Sequence, residues 1–338
     1  MRASEARLRP RSKIDAVQRL EVFQGGSQRL ARMNRPMNPN DPAPCAGTPP
    51  AEFVIDRALV AGLLTEQHPN LAHLPLREVD AGWDNAIFRL GDRLAVRLPR
   101  RAAAAPLIFN EQTWLPRLAA RLSLPVPTPC CFGTPALGYR WHWSVVPWLK
   151  GMSADLNEPA ASQARPLAGF LRSLHGPAPA DAPANPMRGI PLALRSDMVA
   201  TRMQRLAGRT SLITPQLMNV WEAALHAPID LPHTWLHGDL HPRNVLVERG
   251  SITGIIDWGD LTAGDPATDL GSIWMLWEDP RARQAALEAY GGISEATQQR
   301  AKGWAVLFGV FLLDTGLTDN PRNAGIGARA LRRVLDSM

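Results

Sequence analysis

The sequence predicts an α+β protein in two lobes, a small β-rich lobe followed by a larger, mainly helical one. The chain has 338 residues, 45% of them hydrophobic, which is enough for two cores. Alternating apolar residues separated by Gly and Asp turns run from residue 76 to 99, and apolar residues at helical spacing dominate from about residue 160. We therefore divide the chain into an N-terminal extension (1–50), a β-rich lobe (51–147) and a helical lobe (148–338).

The N-terminal extension accounts for the net charge of the chain. Residues 1–40 contain nine Arg or Lys against three Asp or Glu, and the whole chain has a formal net charge of +6. A basic, Pro-rich arm ahead of a neutral body is typical of a disordered tail and not of a nucleic-acid-binding face, so no nucleic-acid partner is expected. A transit peptide, or a true start at Met33 or Met37, are further explanations of this arm.

Cysteine content and the lengths of the apolar runs predict a cytoplasmic protein. Cys45, Cys130 and Cys131 are odd in number and two of them are adjacent, so a disulfide framework is not expected. No uninterrupted apolar run reaches the ~18 to 20 residues of a membrane span, and no secretion signal is recognisable. We expect no membrane partner, and the oligomeric state stays open.

The elements of the β-rich lobe follow in order along the chain. A helix near Phe53 to Glu66 comes first, and EVDAG, NAIFRL and RLAVRLP then predict a meander of three strands that ends at Pro99. A helix that contains Glu111 follows. The aromatic and β-branched segment YRWHWSVVPWLKG predicts strands that lead into a connector between the lobes.

The helical lobe contains one segment that is not helical, from Trp235 to Asp260. SQARPLAGFLRSLHG upstream has helical spacing, but Pro and Gly residues interrupt WLHGDLHPRNVLVERGSITGIIDWGD. Within it, NVLVE and ITGIIDW predict a hairpin joined by RGS. Asp239 and Asn244 are therefore expected on a loop that enters a strand, and Asp257 at the end of the next strand.

Three hypotheses explain the polar residues of this segment. His237-x-Asp239-x-His241 suggests a zinc hydrolase, although no histidine follows His241. Each acid or histidine can also serve only to cap a turn, which leaves four polar positions around one hairpin without a common explanation. Phosphoryl transfer needs one Asp at the substrate hydroxyl and an Asn and a second Asp for Mg²⁺, and the spacing H-x-D-x-x-x-x-N followed by D-x-G is present here.

The segments HGDLHPRNVLV, IIDWGD and GDPATDLG resemble the signature of the aminoglycoside phosphotransferases and their relatives among small-molecule kinases. The resemblance runs from about Leu76 to the C-terminal helices. It implies a protein-kinase-like fold with ATP or GTP between the lobes. By this resemblance Asp239 is the catalytic base, Asn244 and Asp257 bind Mg²⁺, His237 orders the loop, and Asp269 is a structural acid that braces the loop or caps a helix.

The β-rich lobe departs from the protein-kinase pattern at two places. AGWDN replaces the glycine-rich loop, so Asp84 and Asn85 are expected to cover the phosphates. Arg97 stands on the third strand where the pattern has a lysine, and Glu111 is its expected partner. A guanidinium suits phosphate, but Arg97 can also be a mere strand-edge residue, which keeps a catalytically silent kinase-like nucleotide-binding module as the alternative. The lysines of the chain are Lys13, Lys150 and Lys302.

The nucleotide base is expected at the connector, and the acceptor is expected in the helical lobe and its loops. Backbone groups from Val146 to Trp148 are the expected contacts of the nucleotide base. The expected acceptor is a hydroxyl of an aminoglycoside-like antibiotic or a related metabolite. The acids considered for a cationic acceptor are interleaved with arginines: Glu278, Asp279, Glu288, Asp314 and Asp319. Asp260 and Asp265 are also considered, although a solvated turn is the preferred explanation for each. The tryptophans at helical spacing are expected in the core: Trp258, Trp274, Trp277 and Trp304.

Overall fold

The computed structural model describes residues 50–337. The predictions for the basic N-terminal arm concern residues outside this part. The first lobe begins with helix α1, which Asp56 caps by accepting a hydrogen bond from the Leu59 N–H at 2.8 Å. Its elements are α1 (Arg57–Gln67), β1 (Leu76–Ala81), β2 (Asn85–Leu90), β3 (Leu94–Pro99), α2 (Ala105–Ala119), β4 (Cys131–Gly133) and β5 (Trp143–Pro147).

The strands of the first lobe form one antiparallel sheet. In the described part of the chain its order is β1-β2-β3-β5-β4. The predicted meander of β1, β2 and β3 is confirmed, with Asn85 of β2 opposite Pro99 of β3. Strand β4 was not predicted, because three residues are too few to display an alternating pattern. Phe88, Val96 and Trp143 are fully buried in the core between the sheet and α1.

Helix α2 connects the sheet to the second lobe. Its residue Glu111 is fully buried, while Leu115 and Leu118 belong to the hydrophobic core of the helical lobe. The helix packs against the short helical turn Trp258–Asp260. Glu111 is therefore brought next to the turn that follows Asp257.

The second lobe is mainly helical and is built around a larger core, which includes all four tryptophans predicted to lie inside. The hairpin predicted from NVLVE and ITGIIDW is present as β8 and β9, with Val245 paired to Ile255. The elements are β6 (Met152–Ser153), α3 (Ala164–Leu174), α4 (Ser196–Ala207), α5 (Pro215–His226), β7 (Thr234–Leu236), β8 (Val245–Glu248), β9 (Ser251–Ile255), β10 (Thr262–Gly264), α6 (Ala267–Leu270), α7 (Ser272–Leu276), α8 (Pro280–Tyr290), α9 (Glu295–Asp319) and α10 (Pro321–Leu335).

Helix α9 is the central helix of the second lobe. By length and composition it is long and apolar enough to cross a membrane. Arg300, Lys302 and Asp314 interrupt its apolar residues, so the sequence shows no uninterrupted apolar run there. Its most apolar window is 78% buried, and it packs against α5 and α10. These contacts are those of a core helix.

Candidate active site

The loop between β7 and β8 carries the central residues of the site. Strand β7 pairs with β10, and the chain then turns sharply at Gly238, whose φ is +84°. A Cβ at this position would meet the Asp260 carbonyl oxygen at 2.5 Å, so both the backbone conformation and the close approach require glycine. The loop ends in a short helical turn, Pro242–Asn244, that leads into β8.

Asp269, which lies in the first turn of the short helix α6, braces this loop. Its carboxylate accepts hydrogen bonds from the backbone N–H groups of His237 (2.7 Å) and Gly238 (2.9 Å), and His175 Nε2 lies 3.3 Å away. The side chain is fully buried. The prediction that Asp269 is a structural acid that braces the loop is confirmed.

His237 uses both ring nitrogens to hold the loop in place. Nδ1 accepts a hydrogen bond from the Asp239 N–H at 3.3 Å, so Nε2 carries the proton and donates to the Ile256 carbonyl at 3.0 Å. The imidazole therefore has no lone pair left for a metal. Among residues 50–337 no group of three or more His, Cys, Asp or Glu is placed to hold a metal ion. Both observations argue against the zinc-hydrolase hypothesis.

Asn244 and Asp257 lie next to each other because the hairpin aligns them. The Ile256 N–H donates to the Asn244 carbonyl at 2.9 Å, one residue before Asp257. Asn244 Nδ2 donates to the Asp239 carbonyl at 2.8 Å. Asp257 has φ 65° and ψ 67°, a left-handed conformation that costs a non-glycine residue about 1–2 kcal/mol and is typical of functional positions.

Arg97 of β3 joins the two lobes through carboxylates. Its Nη1 lies 2.6 Å from both carboxylate oxygens of Glu111, and its Nη2 donates to Asp257 Oδ1 at 2.7 Å. The predicted pairing of Arg97 with Glu111 is present. Burial alone would lower the pKa of Arg97, but Glu111 and Asp257 outweigh it and raise the pKa. Burial also raises the pKa of Glu111, against the lowering effect of Arg97.

Arg188 was not predicted, and it contacts the expected catalytic base. Its Nη2 donates to Asp239 Oδ1 at 2.6 Å, while His241 Nε2 lies 3.4 Å from Asp239 Oδ2. Burial would raise the pKa of Asp239, but Arg188 and His241 hold it well below its usual range. Arg188 lies 51 residues upstream in a loop without a motif, so no sequence signal pointed to it.

The turn between β1 and β2 is held by arginines. Arg101 Nη2 donates to Asp84 Oδ1 at 2.5 Å, and Arg100 Nη1 donates to the Gly82 carbonyl at 2.7 Å. Burial raises the pKa of Asp84 despite this pairing. Asn85 is 8% exposed, and within the described residues its buried Oδ1 has no partner. The structure thus places both predicted phosphate-covering residues at this turn, and Asp84 has an arginine partner.

The predicted base-contacting segment already uses one of its backbone groups. The Trp148 N–H donates to the Arg93 carbonyl at 2.8 Å, and its ring packs under the Arg89 guanidinium at 4.7 Å. Val146 pairs with Ala95 in the sheet. A base contact in this segment therefore has to use groups other than the Trp148 N–H.

Asp260 and Asp265, the two acids after the hairpin, were expected on solvated turns, and the structure places them differently. Asp265 is 1% exposed, bonds Arg300 Nε at 2.7 Å and accepts a hydrogen bond from the Ala267 N–H, so it is an interior acid and the prediction of a solvated turn is wrong. Asp260 is half-buried and accepts a hydrogen bond from Asn185 Nδ2 at 2.7 Å. Burial raises the pKa of Asp260, partly offset by Arg188.

The strand order of the sheet and the geometry of the loop between β7 and β8 define a protein of the protein-kinase-like class. The model of the family described as "Phosphotransferase enzyme family" matches residues 75–304, which is more than half of the chain. The chain belongs to this phosphotransferase enzyme family.

Known proteins similar to this chain include one curated relative and several solved structures. "Uncharacterized protein YcbJ" of Bacillus subtilis (strain 168) is 28% identical over 191 residues, which cover 52% of this chain and 60% of YcbJ, so the match spans less than two thirds of that relative. The GDP complex of wild-type aminoglycoside 2'-phosphotransferase-IIIa has a TM-score of 0.61 at 16% identity, covering 84% of this chain and 100% of that one. Macrolide 2'-phosphotransferase MphH from Brachybacterium faecium has a TM-score of 0.53 at 20% identity, covering 80% and 96%. These structural likenesses show the protein-kinase-like fold.

Proposed function

We propose that the protein is a kinase that transfers the γ-phosphoryl group of ATP or GTP to a hydroxyl group of a small molecule. The solved relatives include complexes with GDP, with ADP and with kanamycin, which supports a nucleotide and a hydroxylated acceptor at the corresponding site. In the reaction the acceptor oxygen bonds to the γ-phosphorus while the bond from that phosphorus to the β–γ bridging oxygen breaks. The proton of the hydroxyl goes to Asp239.

Asp239 is the proposed catalytic base. Its carboxylate is 19% exposed, and Arg188 and His241 keep it ionised. A base of low pKa is a weak proton acceptor, but phosphoryl transfer passes through a loose transition state in which the alcohol loses its proton late. The main task of Asp239 is therefore to orient the hydroxyl, and a carboxylate fixed by Arg188 and His241 suits this task.

Asn244 and Asp257 are the proposed magnesium ligands. Within residues 50–337 the Oδ1 atom of Asn244 and the Oδ2 atom of Asp257 accept no hydrogen bond, so each residue keeps an oxygen for a hard cation. Bound Mg²⁺ would supply neutralisation of charge on the nucleotide phosphates. The left-handed backbone of Asp257 and the bond from Asn244 to the Asp239 carbonyl fix both side chains relative to the base.

Arg97 is the proposed anchor of the nucleotide phosphates, in the role that a lysine has in protein kinases. Glu111 and Asp257 hold its guanidinium in place, and its Nε and the second hydrogen on Nη2 remain for phosphate oxygens. Because the Arg97 guanidinium contacts a residue of each lobe, Arg97 also positions Asp257. Asp84 and Asn85, with backbone groups of their turn, form the proposed cover of the phosphates, and the segment from Val146 to Trp148 the proposed wall beside the base.

The observation that carries this proposal is the hydrogen-bonded unit of Asp239, Asn244 and Asp257 joined to the pair of Arg97 and Glu111. The test is magnesium-dependent turnover of ATP and of GTP by the full chain in the presence of hydroxylated antibiotics and metabolites. We expect nucleoside diphosphate and a phosphate monoester to form together. Nucleotide binding without any turnover would instead identify a catalytically silent nucleotide-binding module.

A further inference from the structure

Three arginines lie beside the catalytic loop, and we call Arg188, Arg195 and Arg202 the arginine cluster. Arg195 ends the short helical turn Leu192–Arg195, and Arg202 lies on α4. Burial, followed by the positive charges of Arg188 and Arg202, lowers the pKa of Arg195 to about 10. Arg188 and Arg202 are thus both close enough for their charges to act on the Arg195 guanidinium.

Two members of the arginine cluster have carboxylate partners, and among residues 50–337 the third has none. Arg188 bonds Asp239 and Arg202 bonds Asp314, each at 2.6 Å. Arg195 is 7% exposed, and in the described part of the chain its hydrogen-bond partner is Met187 Sδ, 2.7 Å from Nη1, while its buried Nε has no partner. A thioether is a weak acceptor and a buried charge without a counter-charge is unfavourable, so Arg195 has the properties of a group that binds an external anion.

Two phenylalanines of α9 form an aromatic face between the arginine cluster and the first lobe. Phe308 and Phe311 are three residues apart and lie on one side of the helix. The Arg188 guanidinium lies 4.9 Å from the Phe308 ring, and the Arg202 guanidinium lies 4.5 Å from the Phe311 ring. The Trp83 ring, from the turn between β1 and β2, lies 6.0 Å from Phe311. The face therefore extends from the arginine cluster to the first lobe.

Acids considered for a cationic acceptor in this region already have partners. Asp314 is 1% exposed and is bonded by both Arg202 (2.6 Å) and Arg205 (2.5 Å). Asp260 acts on Arg188 and accepts a hydrogen bond from Asn185 Nδ2 at 2.7 Å. The remaining candidates are elsewhere: Glu278, Asp279 and Glu288 are at or on α8, which packs against α3, and Asp319 is exposed at the end of α9.

We propose that the acceptor is an alcohol that carries an anionic group, a carboxylate or a phosphate, which binds Arg195 while the hydroxyl faces Asp239. This inference rests on the proposed function and names the acceptor class of the same site. The carbon skeleton of the acceptor lies against Phe311 and Trp83, whose rings are partly exposed. A polycationic acceptor would bring ammonium groups beside the arginine cluster, where like charges repel.

Four six-carbon polyols that differ at one end test this charge preference: gluconate, sorbitol 6-phosphate, sorbitol and glucamine. Their binding to the full chain is measured by calorimetry in the presence of saturating Mg²⁺ and a non-hydrolysable analogue of ATP or GTP, so that the γ-phosphate position is already filled. We expect gluconate or sorbitol 6-phosphate to bind at least about ten-fold more tightly than sorbitol, as a charge-assisted contact provides, and glucamine to bind most weakly. Which anion binds more tightly distinguishes a carboxylate from a phosphate.

Variants assign the preference to one side chain. Arg195→Met should remove the advantage of the anionic polyols, and Arg195→Lys should keep most of it because the charge remains. Arg165→Met is the matched control, since Arg165 is an exposed arginine on α3 and its loss changes the net charge by the same amount. Melting temperatures of all variants report whether they are folded.

The outcomes separate this inference from the proposed function. Sorbitol or glucamine binding as tightly as the anions, no preference among the four polyols, or a preference that persists in Arg195→Met would overturn the anionic acceptor. If the parent protein fails to bind Mg²⁺ and nucleotide, the proposed function itself is contradicted. If Arg195→Met does not fold, Arg195→Gln replaces it, and the charge preference of the parent protein still decides the acceptor class.

Discussion

The proposed catalytic centre and Arg195 of the arginine cluster both adjoin Arg188, but their charges are compensated in different ways. In the catalytic centre Arg97 faces two carboxylates, and Asp239 is bonded by Arg188. In the arginine cluster Arg195 is buried with a sulfur atom as its partner. Ion pairs completed within the chain hold side chains in place before a ligand binds, whereas a buried charge without a counter-ion leaves its best interaction for the ligand.

This difference separates the expected effects of substitutions in the two regions. Removal of a group from the catalytic centre should mainly change the rate of phosphoryl transfer, because positions set within the chain are lost. Removal of Arg195 should mainly change the affinity for the acceptor. A substitution that affects both quantities equally would show that the two regions are one unit.

The largest expected effect is that of Asp239→Ala. Loss of a positioned base should lower kcat by about 10²- to 10⁴-fold, while the protein stays folded and binds nucleotide as before. Single-turnover kinetics on a verified substrate and a nucleotide titration measure the two quantities. Near-parental turnover in this variant would show that Asp239 is not the base.

Arg97→Met should have the next largest effect. Loss of a charge-assisted contact of ~1.5 to 3 kcal/mol should lower kcat/KM for the nucleotide by roughly one to two orders of magnitude. Arg97→Lys should recover part of the loss, because it restores the charge but not the fork that bridges Glu111 and Asp257. Adding Glu111→Ala to Arg97→Met should change little further, since the pair acts as one unit. Parental kinetics in Arg97→Met would place the phosphate anchor elsewhere, in the turn at Asp84.

Substitution of the two proposed magnesium ligands should have smaller effects, and the two effects should differ in size. Asp257→Ala should weaken Mg²⁺-dependent nucleotide binding by about ten-fold, and Asn244→Ala should weaken it less, because an amide contributes no charge. Isothermal titrations with and without Mg²⁺ measure this. Equal affinity of the parent protein in the two conditions would contradict both assignments.

The smallest expected effect concerns Arg188 and pH. Arg188 helps to hold the pKa of Asp239 well below its usual range, so the base stays ionised as the pH falls through about 4, the ordinary value for Asp. Arg188→Gln should raise this pKa and move the acid limb of the kcat/KM profile to higher pH. An unchanged acid limb in this variant would show that Arg188 does not control the ionisation of Asp239.

Sequence reasoning could group the residues of the proposed catalytic centre because they are close together in the chain. Asp239, Asn244 and Asp257 lie within one hairpin segment, and their spacing reflects backbone geometry that the hairpin imposes. Arg97 and Glu111 could be paired because a strand and the helix after it are neighbours along the chain.

The arginine cluster could not be predicted in this way. Its contacts join residues far apart in sequence, such as Arg202 with Asp314, and depend on how α4 and α9 pack. The buried state of Asp265 depends on Arg300, 35 residues later. Short strands such as β7 and β10 pair across the catalytic loop and show no periodic pattern of their own.

The most direct measurement is phosphorus NMR of the parent protein and Asp239→Asn, each with Mg²⁺, ATP or GTP, and an acceptor alcohol. With the parent protein we predict a phosphate monoester resonance that grows in step with the loss of the γ-phosphate resonance. With Asp239→Asn, which keeps the shape but not the charge of the side chain, neither change should be visible on the same time scale. Formation of the monoester by Asp239→Asn at the parental rate, or release of the γ-phosphate only as inorganic phosphate by the parent protein, would contradict a kinase in which Asp239 directs transfer to an alcohol.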